Sequence, residues 1–67
     1  MLQTILIPKD KYSLAEAIFW LRSHNYPHPK VDITDKFYRF RQHTPEAHSK
    51  YYTMSLRNGI EMVHTYE

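Results

Sequence analysis

Lys36-Phe37-Tyr38-Arg39-Phe40-Arg41-Gln42 sets three aromatic rings and two arginines within seven residues, with no glycine, proline or acid among them. Aromatic side chains suit a pleated, half-buried surface, so a strand is predicted over Lys36 to His43. Strand side chains alternate between faces. Tyr38, Phe40 and Gln42 therefore share one face, which can line a core. Phe37, Arg39 and Arg41 share the other, a basic and ring-bearing surface.

Downstream of this strand, Pro45-Glu46-Ala47-His48 reads as a loop, or one helical turn with Pro45 at its first position. The last unit is a hairpin around Asn58-Gly59. A two-residue turn would pair Arg57 with Ile60 and put Met54 on the face of Val63. A three-residue loop, Arg57-Asn58-Gly59 with Gly59 left-handed, pairs Leu56 with Ile60, Met54 with Met62 and Tyr52 with His64. That second register collects the apolar residues on one face and is preferred. It leaves Tyr51, Thr53, Ser55, Glu61, Val63 and Thr65 on the other.

Upstream, Val31 to Ile33 is predicted to be a short strand, with Thr34-Asp35 a turn or bulge. Tyr26-Pro27-His28-Pro29 is a stiff connector, because each proline pushes its predecessor out of the helical region. Before it, Ser13-Leu14-Ala15-Glu16 matches the reciprocal capping box that opens a helix. The helix is predicted over Leu14 to His24, with Leu14, Ala17, Ile18 and Leu21 on one stripe. Phe19 and Trp20 flank that stripe on opposite sides, and the pattern does not choose which is exposed. Asn25 can take the left-handed position beyond the helix, with Tyr26 folding back towards Leu21. Leu2 to Ile7 is a strand ended by Pro8, and its Ile5-Leu6-Ile7 run is apolar on both faces, as suits a position inside a sheet.

These elements sum to one small α+β domain over residues 1–67, in the order β-α-β-β-β-β. One helix covers one face of a small, mainly antiparallel sheet. The expected core is Ile5, Ile7, Leu14, Ile18, Leu21, Tyr38, Phe40, Met54, Leu56, Ile60 and Met62. A chain this short buries only about 60% of the surface its unfolded form exposes, so packing or a partner has to supply stability. It contains no cysteine, which removes disulfides and thiolate metal sites. The longest apolar runs are far shorter than a bilayer requires, and no signal peptide is apparent. A soluble, intracellular protein without membrane association is expected.

The formal charge is +2, from nine Lys and Arg against seven Asp and Glu. Six of those bases and three of the acids lie between Lys30 and Arg57, so the excess surrounds the central strand. A solvated sheet face accounts for this as readily as a polyanion site does.

The side chains that usually carry catalysis are not arranged for it. His24 and His28 are separated by Pro27 and share no helical face. His43 and His48 are five apart with Pro45 between them, unlike the one-turn spacing of zinc-protease helices. His64 reads as a histidine at the core edge. No serine sits in a glycine-flanked elbow, Ser49 beside His48 lacks an orienting acid, and the single glycine excludes glycine-rich phosphate loops. A non-enzymatic role is expected, without cofactor, metal or small-molecule substrate. The candidate binding residues are Phe37, Arg39 and Arg41, with Lys36, Tyr51 and Arg57 near them. Rings can stack bases and guanidiniums can hold phosphates, so nucleic acid is the alternative to a protein partner.

The series Lys11-Tyr12-Ser13-Leu14-Ala15-Glu16-Ala17, Trp20-Leu21, His24, Tyr26, Phe37-Tyr38-Arg39-Phe40-Arg41-Gln42 and Pro45 resembles a small module of viral proteins. The module is that of tailed-phage head-region proteins, including the front of some prohead-protease polypeptides, and of small proteins of large DNA viruses. The similarity continues through Leu56-x-Asn58-Gly59-Ile60 and is most specific in Tyr38-Arg39-Phe40-Arg41-Gln42. His48 stands where the module has an aromatic residue, and His64-Thr65-Tyr66 replaces its glycine-containing end. The module brings no activity and no catalytic residues. What the resemblance implies is a viral accessory or virion-associated protein, in the host cytoplasm or nucleus or in the particle, that binds a protein partner or itself.

Overall fold

A computed structural model describes residues 1–28, 30–43 and 50–66. The elements are β1 (Leu2–Pro8), α1 (Leu14–Ser23), β2 (Asp32–Ile33), β3 (Phe37–Arg41), β4 (Tyr51–Ser55) and β5 (Glu61–Thr65). The five strands form one antiparallel sheet in the order β2-β3-β1-β5-β4. β1 is thus the middle strand, as its Ile5-Leu6-Ile7 run implies: both of its edges are paired, Ile5 and Ile7 are buried on the α1 side, and Leu6 on the other face is half-buried.

Local chemistry sets the ends of α1. The Ser13 hydroxyl accepts from the Glu16 amide at 3.1 Å, and the Glu16 carboxylate accepts from the Ser13 amide at 2.9 Å. The backbone hydrogen bond from Ser13, followed by the side-chain one, holds the Glu16 carboxyl below its ordinary range. At the other end His24 is the C-cap, and Asn25 follows with φ 61°. The Tyr26 amide donates to the Leu21 carbonyl at 2.9 Å and the Asn25 amide to that of Arg22 at 3.1 Å. This is the Schellman pair of bonds, and the αL residue it needs is Asn25.

Ile5, Ile7, Ala17, Leu21, Phe40 and Ile60 are buried, with Leu14, Ile18, Trp20, Tyr26, Tyr38, Leu56 and Met62 packed against them. Ile5 lies between Phe40 of β3 and Met62 of β5, and Ile7 pairs with Tyr38. One sheet face is therefore the floor beneath the Leu14, Ala17, Ile18 and Leu21 stripe of α1. Each large aliphatic side chain removed from water in such a floor stabilises the fold by about 1.5–3 kcal/mol.

The β4–β5 hairpin has the three-residue loop. Gly59 sits at φ 89°, its amide donates to the Leu56 carbonyl at 3.1 Å, and the Leu56 amide donates to the Ile60 carbonyl at 2.8 Å. Met54 consequently faces Met62, and Tyr52 faces His64. The Asn58 side-chain oxygen accepts from the Ile60 amide at 3.1 Å and fixes the exit of the loop.

Two expectations change. The central strand spans Phe37–Arg41 rather than Lys36–His43, because its regular ladder with β1 runs only from the Pro8–Phe37 pair to the Thr4–Arg41 pair. There the Gln42 and His43 amides both converge on the Gln3 carbonyl, at 2.7 and 3.3 Å. The second change is Met54. It was expected in the core and points to the correct face, yet it is 50% exposed, because β4 is the sheet edge and α1 does not reach it. The loop expected over Pro45–His48 lies outside the described residues.

Candidate interaction surface

The sheet face opposite α1 is built by the alternate residues of each strand. Registers place Asp32, Arg39, Leu6, Glu61 and Ser55 in one row across all five strands. The neighbouring row runs Arg41, Thr4, Val63, Thr53. Phe37 lies beside Pro8 at one end of β3, and Tyr51 lies beside Thr65 at the far edge.

Phe37, Arg39 and Arg41 therefore do share a face, as period-two alternation requires. Tyr51 is on the same face but not beside them. β1 and β5 intervene, which at about 4.8 Å per strand separates Tyr51 from β3 by about 14 Å. The strand pairings, which local sequence does not display, decide that distance.

Arg39 is engaged within its own sheet. Its guanidinium donates to the Asp32 carboxylate at 3.0 Å, with the two side chains 43% and 48% exposed. That hydrogen bond leads the causes holding the Asp32 carboxyl below its ordinary range, with the charges of Arg39, Arg41 and Lys30 adding to it. An exposed ion pair of this kind contributes little to stability. It matters more for recognition, because it neutralises one of the two arginines. Arg41 is exposed, and Phe37 is half-buried. Across the two rows Arg39 and Arg41 are balanced by Asp32 and Glu61, so the face is a mixed-charge surface around the half-buried Leu6 and Val63.

Two further apolar surfaces are not visible in the alternation of the strand residues. Along β4 every residue is exposed, with Tyr51, Tyr52 and Met54 among the largest exposed apolar side chains. Tyr52 stacks on His64 with ring centroids 5.1 Å apart and meets Tyr66 at 4.8 Å, giving this edge an aromatic cluster. On α1 the ambiguity between Phe19 and Trp20 is resolved. Phe19 is 70% exposed. Trp20 is half-buried and stacks with His24 at 4.1 Å and with Tyr26 at 6.0 Å, and the His24 Nδ1 donates to the Trp20 carbonyl at 2.8 Å. Phe19, Tyr12 and Trp20 line a shallow groove on the helix.

His24, His28 and His43 are exposed and His64 half-buried, while His48 lies outside the described residues. Among the described residues no three His, Asp or Glu side chains group as a metal site would. No helix among them is long and apolar enough to cross a membrane. No protein-family model, curated protein or solved structure matches the chain.

Proposed function

We propose that this protein is a small non-enzymatic interaction module, a viral accessory or virion-associated protein, that binds a protein partner or itself. One observation carries the reading: the sheet face opposite α1 sets Phe37, Leu6 and Val63 among two arginines and two acids. Protein interfaces combine an apolar, aromatic and arginine-bearing centre with a polar rim of both signs. A polyanion site would instead accumulate positive charge, and here Asp32 already holds Arg39. The viral assignment is supported by the resemblance carried by Tyr38-Arg39-Phe40-Arg41-Gln42 and does not follow from the geometry.

The test compares wild type with a Phe37→Ser, Arg41→Glu double variant in affinity capture from cells that express the protein. A protein captured by wild type and lost with the folded double variant is the expected result. Identical capture by both, together with a strictly monomeric wild type, would sink the reading. Titration of labelled oligonucleotides at two salt concentrations separates the alternative. Binding that weakens steeply with salt and disappears in Arg39→Ala, Arg41→Ala would move the function to nucleic acid.

A further inference from the structure

We infer that the β4 edge is a self-association site, at which two copies of this chain join β4 to β4 antiparallel about a two-fold axis at Thr53. The inference rests on the reading of the protein as an interaction module and adds its partner and its address.

The Leu56 amide donates to the Ile60 carbonyl, and the Lys50 carbonyl accepts from the Tyr66 amide at 3.0 Å. In an antiparallel ladder alternate residues direct both backbone groups to the same neighbour. Tyr52 and Met54 share the inward direction of Lys50 and Leu56. Tyr51, Thr53 and Ser55 therefore direct their amides and carbonyls away from β5. β4 is terminal in the sheet, and no described strand pairs with it on that side.

Proteins normally blunt such an edge with lysine, proline, a bulge or a very short strand. Tyr51-Tyr52-Thr53-Met54-Ser55 uses none of these. It has five residues in unbroken register with β5, no charge and no proline.

The strand is also complementary to itself. Centring the antiparallel pair on Thr53 aligns all three outward residues of each copy, Thr53 with Thr53, Tyr51 with Ser55 and Ser55 with Tyr51. On the α1 side Tyr52 of each copy then lies across from Met54 of the other. The rings occupy the first half of the strand and the small or flexible side chains the second. The two-fold therefore sets each ring against a smaller neighbour, and a thioether beside an aromatic ring is a favourable contact. A centre at Tyr52 or Met54 would leave one outward residue of each copy unpaired. With no charge between Lys50 and Arg57, no like charges oppose each other in the chosen register. The partner is therefore a second copy, since the identical strand satisfies every outward group. A contact of this kind buries less than about 1,200 Å², so the dimer should depend on concentration.

The full chain is tested by sedimentation velocity over a dilution series, with amide hydrogen exchange at both ends of the series. The mass should rise from 8.2 kDa towards twice that value. The Tyr51, Thr53 and Ser55 amides should gain protection as it does, which needs no variant. Thr53→Lys and Thr53→Glu each place like charges at the axis, so each alone should lose the dimer, and their equimolar mixture should regain it. A wild type that stays at 8.2 kDa throughout overturns the inference. So does a dimer unaffected by Thr53→Lys, or one in which the three amides exchange at the dilute-sample rate. A dimer lost in the Phe37→Ser, Arg41→Glu variant but kept in Thr53→Lys removes the β4 site and leaves the interaction reading standing. Protection of those amides by an unrelated protein, without any homodimer, overturns the second-copy assignment.

Discussion

At one edge of the sheet β2 has two residues, Asp32 and Ile33, of which the first is charged and tied to Arg39 of its neighbour. The connector before it contains Pro27, whose carbonyl accepts from the Gln42 side chain at 3.0 Å and so ties the connector to the end of β3. At the other edge β4 has five residues, all exposed and none charged, with a stacked Tyr52–His64 pair beside it. A short, charged, proline-flanked edge cannot template another strand, whereas a long neutral one can. The sheet is therefore finished on one side and extendable on the other. The arginine-bearing face of β3 adjoins the finished side, so a partner held there would leave β4 accessible.

Three substitutions test how independent those edges are. Phe40→Ala acts on both, since Phe40 of β3 is buried in the one core cluster with Ile5 and Ile7 of the middle strand and Ile60 just before β5. It should cost about 3–5 kcal/mol in urea unfolding, enough to unfold a domain of marginal stability. Retention of a native β4 edge after the loss of β2 and β3 would show that the hairpin folds separately. Gly59→Ala addresses only the β4 side. A Cβ there would sit 3.1 Å from the Lys11 Nζ, at a φ of 89° that side chains rarely adopt. The lysine tip can move, so the backbone dominates, and a loss of about 1–3 kcal/mol is expected. Amide exchange should localise that loss to β4 and β5. An unchanged midpoint would mean that the loop does not set the β4 register.

Asp32→Asn addresses only the β2 side and should have the smallest effect. A slight fall in the unfolding midpoint at low salt should vanish near 1 M salt, where charges are screened within about 3 Å. Because the native Asp32 carboxyl is depressed, the contribution of the pair is fully present above the ordinary carboxylate pKa. It is lost as the pH falls through the lowered native value. Equal acid sensitivity of wild type and Asp32→Asn would show that the pair contributes nothing to the finish of this edge.

Much of this architecture was legible because it is locally specified. Ser13 and Glu16 meet three residues apart, Asn25 supplies the positive φ that ends α1, and Gly59 supplies the one that sets the hairpin loop. Each is a contact between near neighbours in sequence, so the alternation of Tyr38 and Phe40 against Phe37 and Arg39 could be read in the same way. The candidate site was legible only in part. The shared face of Phe37, Arg39 and Arg41 follows from alternation. The capture of Arg39 by Asp32 and the distance of Tyr51 follow from strand pairing between segments apart in sequence.

Met54 marks the boundary between the two kinds of information. Its sequence determines its face, because the loop around Gly59 pairs it with Met62 and the sheet pleat does the rest. Its exposure depends on lateral position. A helix about 10–12 Å across covers roughly two strand spacings, and five strands offer four. α1 packs over Ile5, Ile7 and Phe40 in the middle of the sheet and leaves β4 beyond its reach. Face is a property of the local chain. Burial required the strand order, and only the tertiary structure decided that.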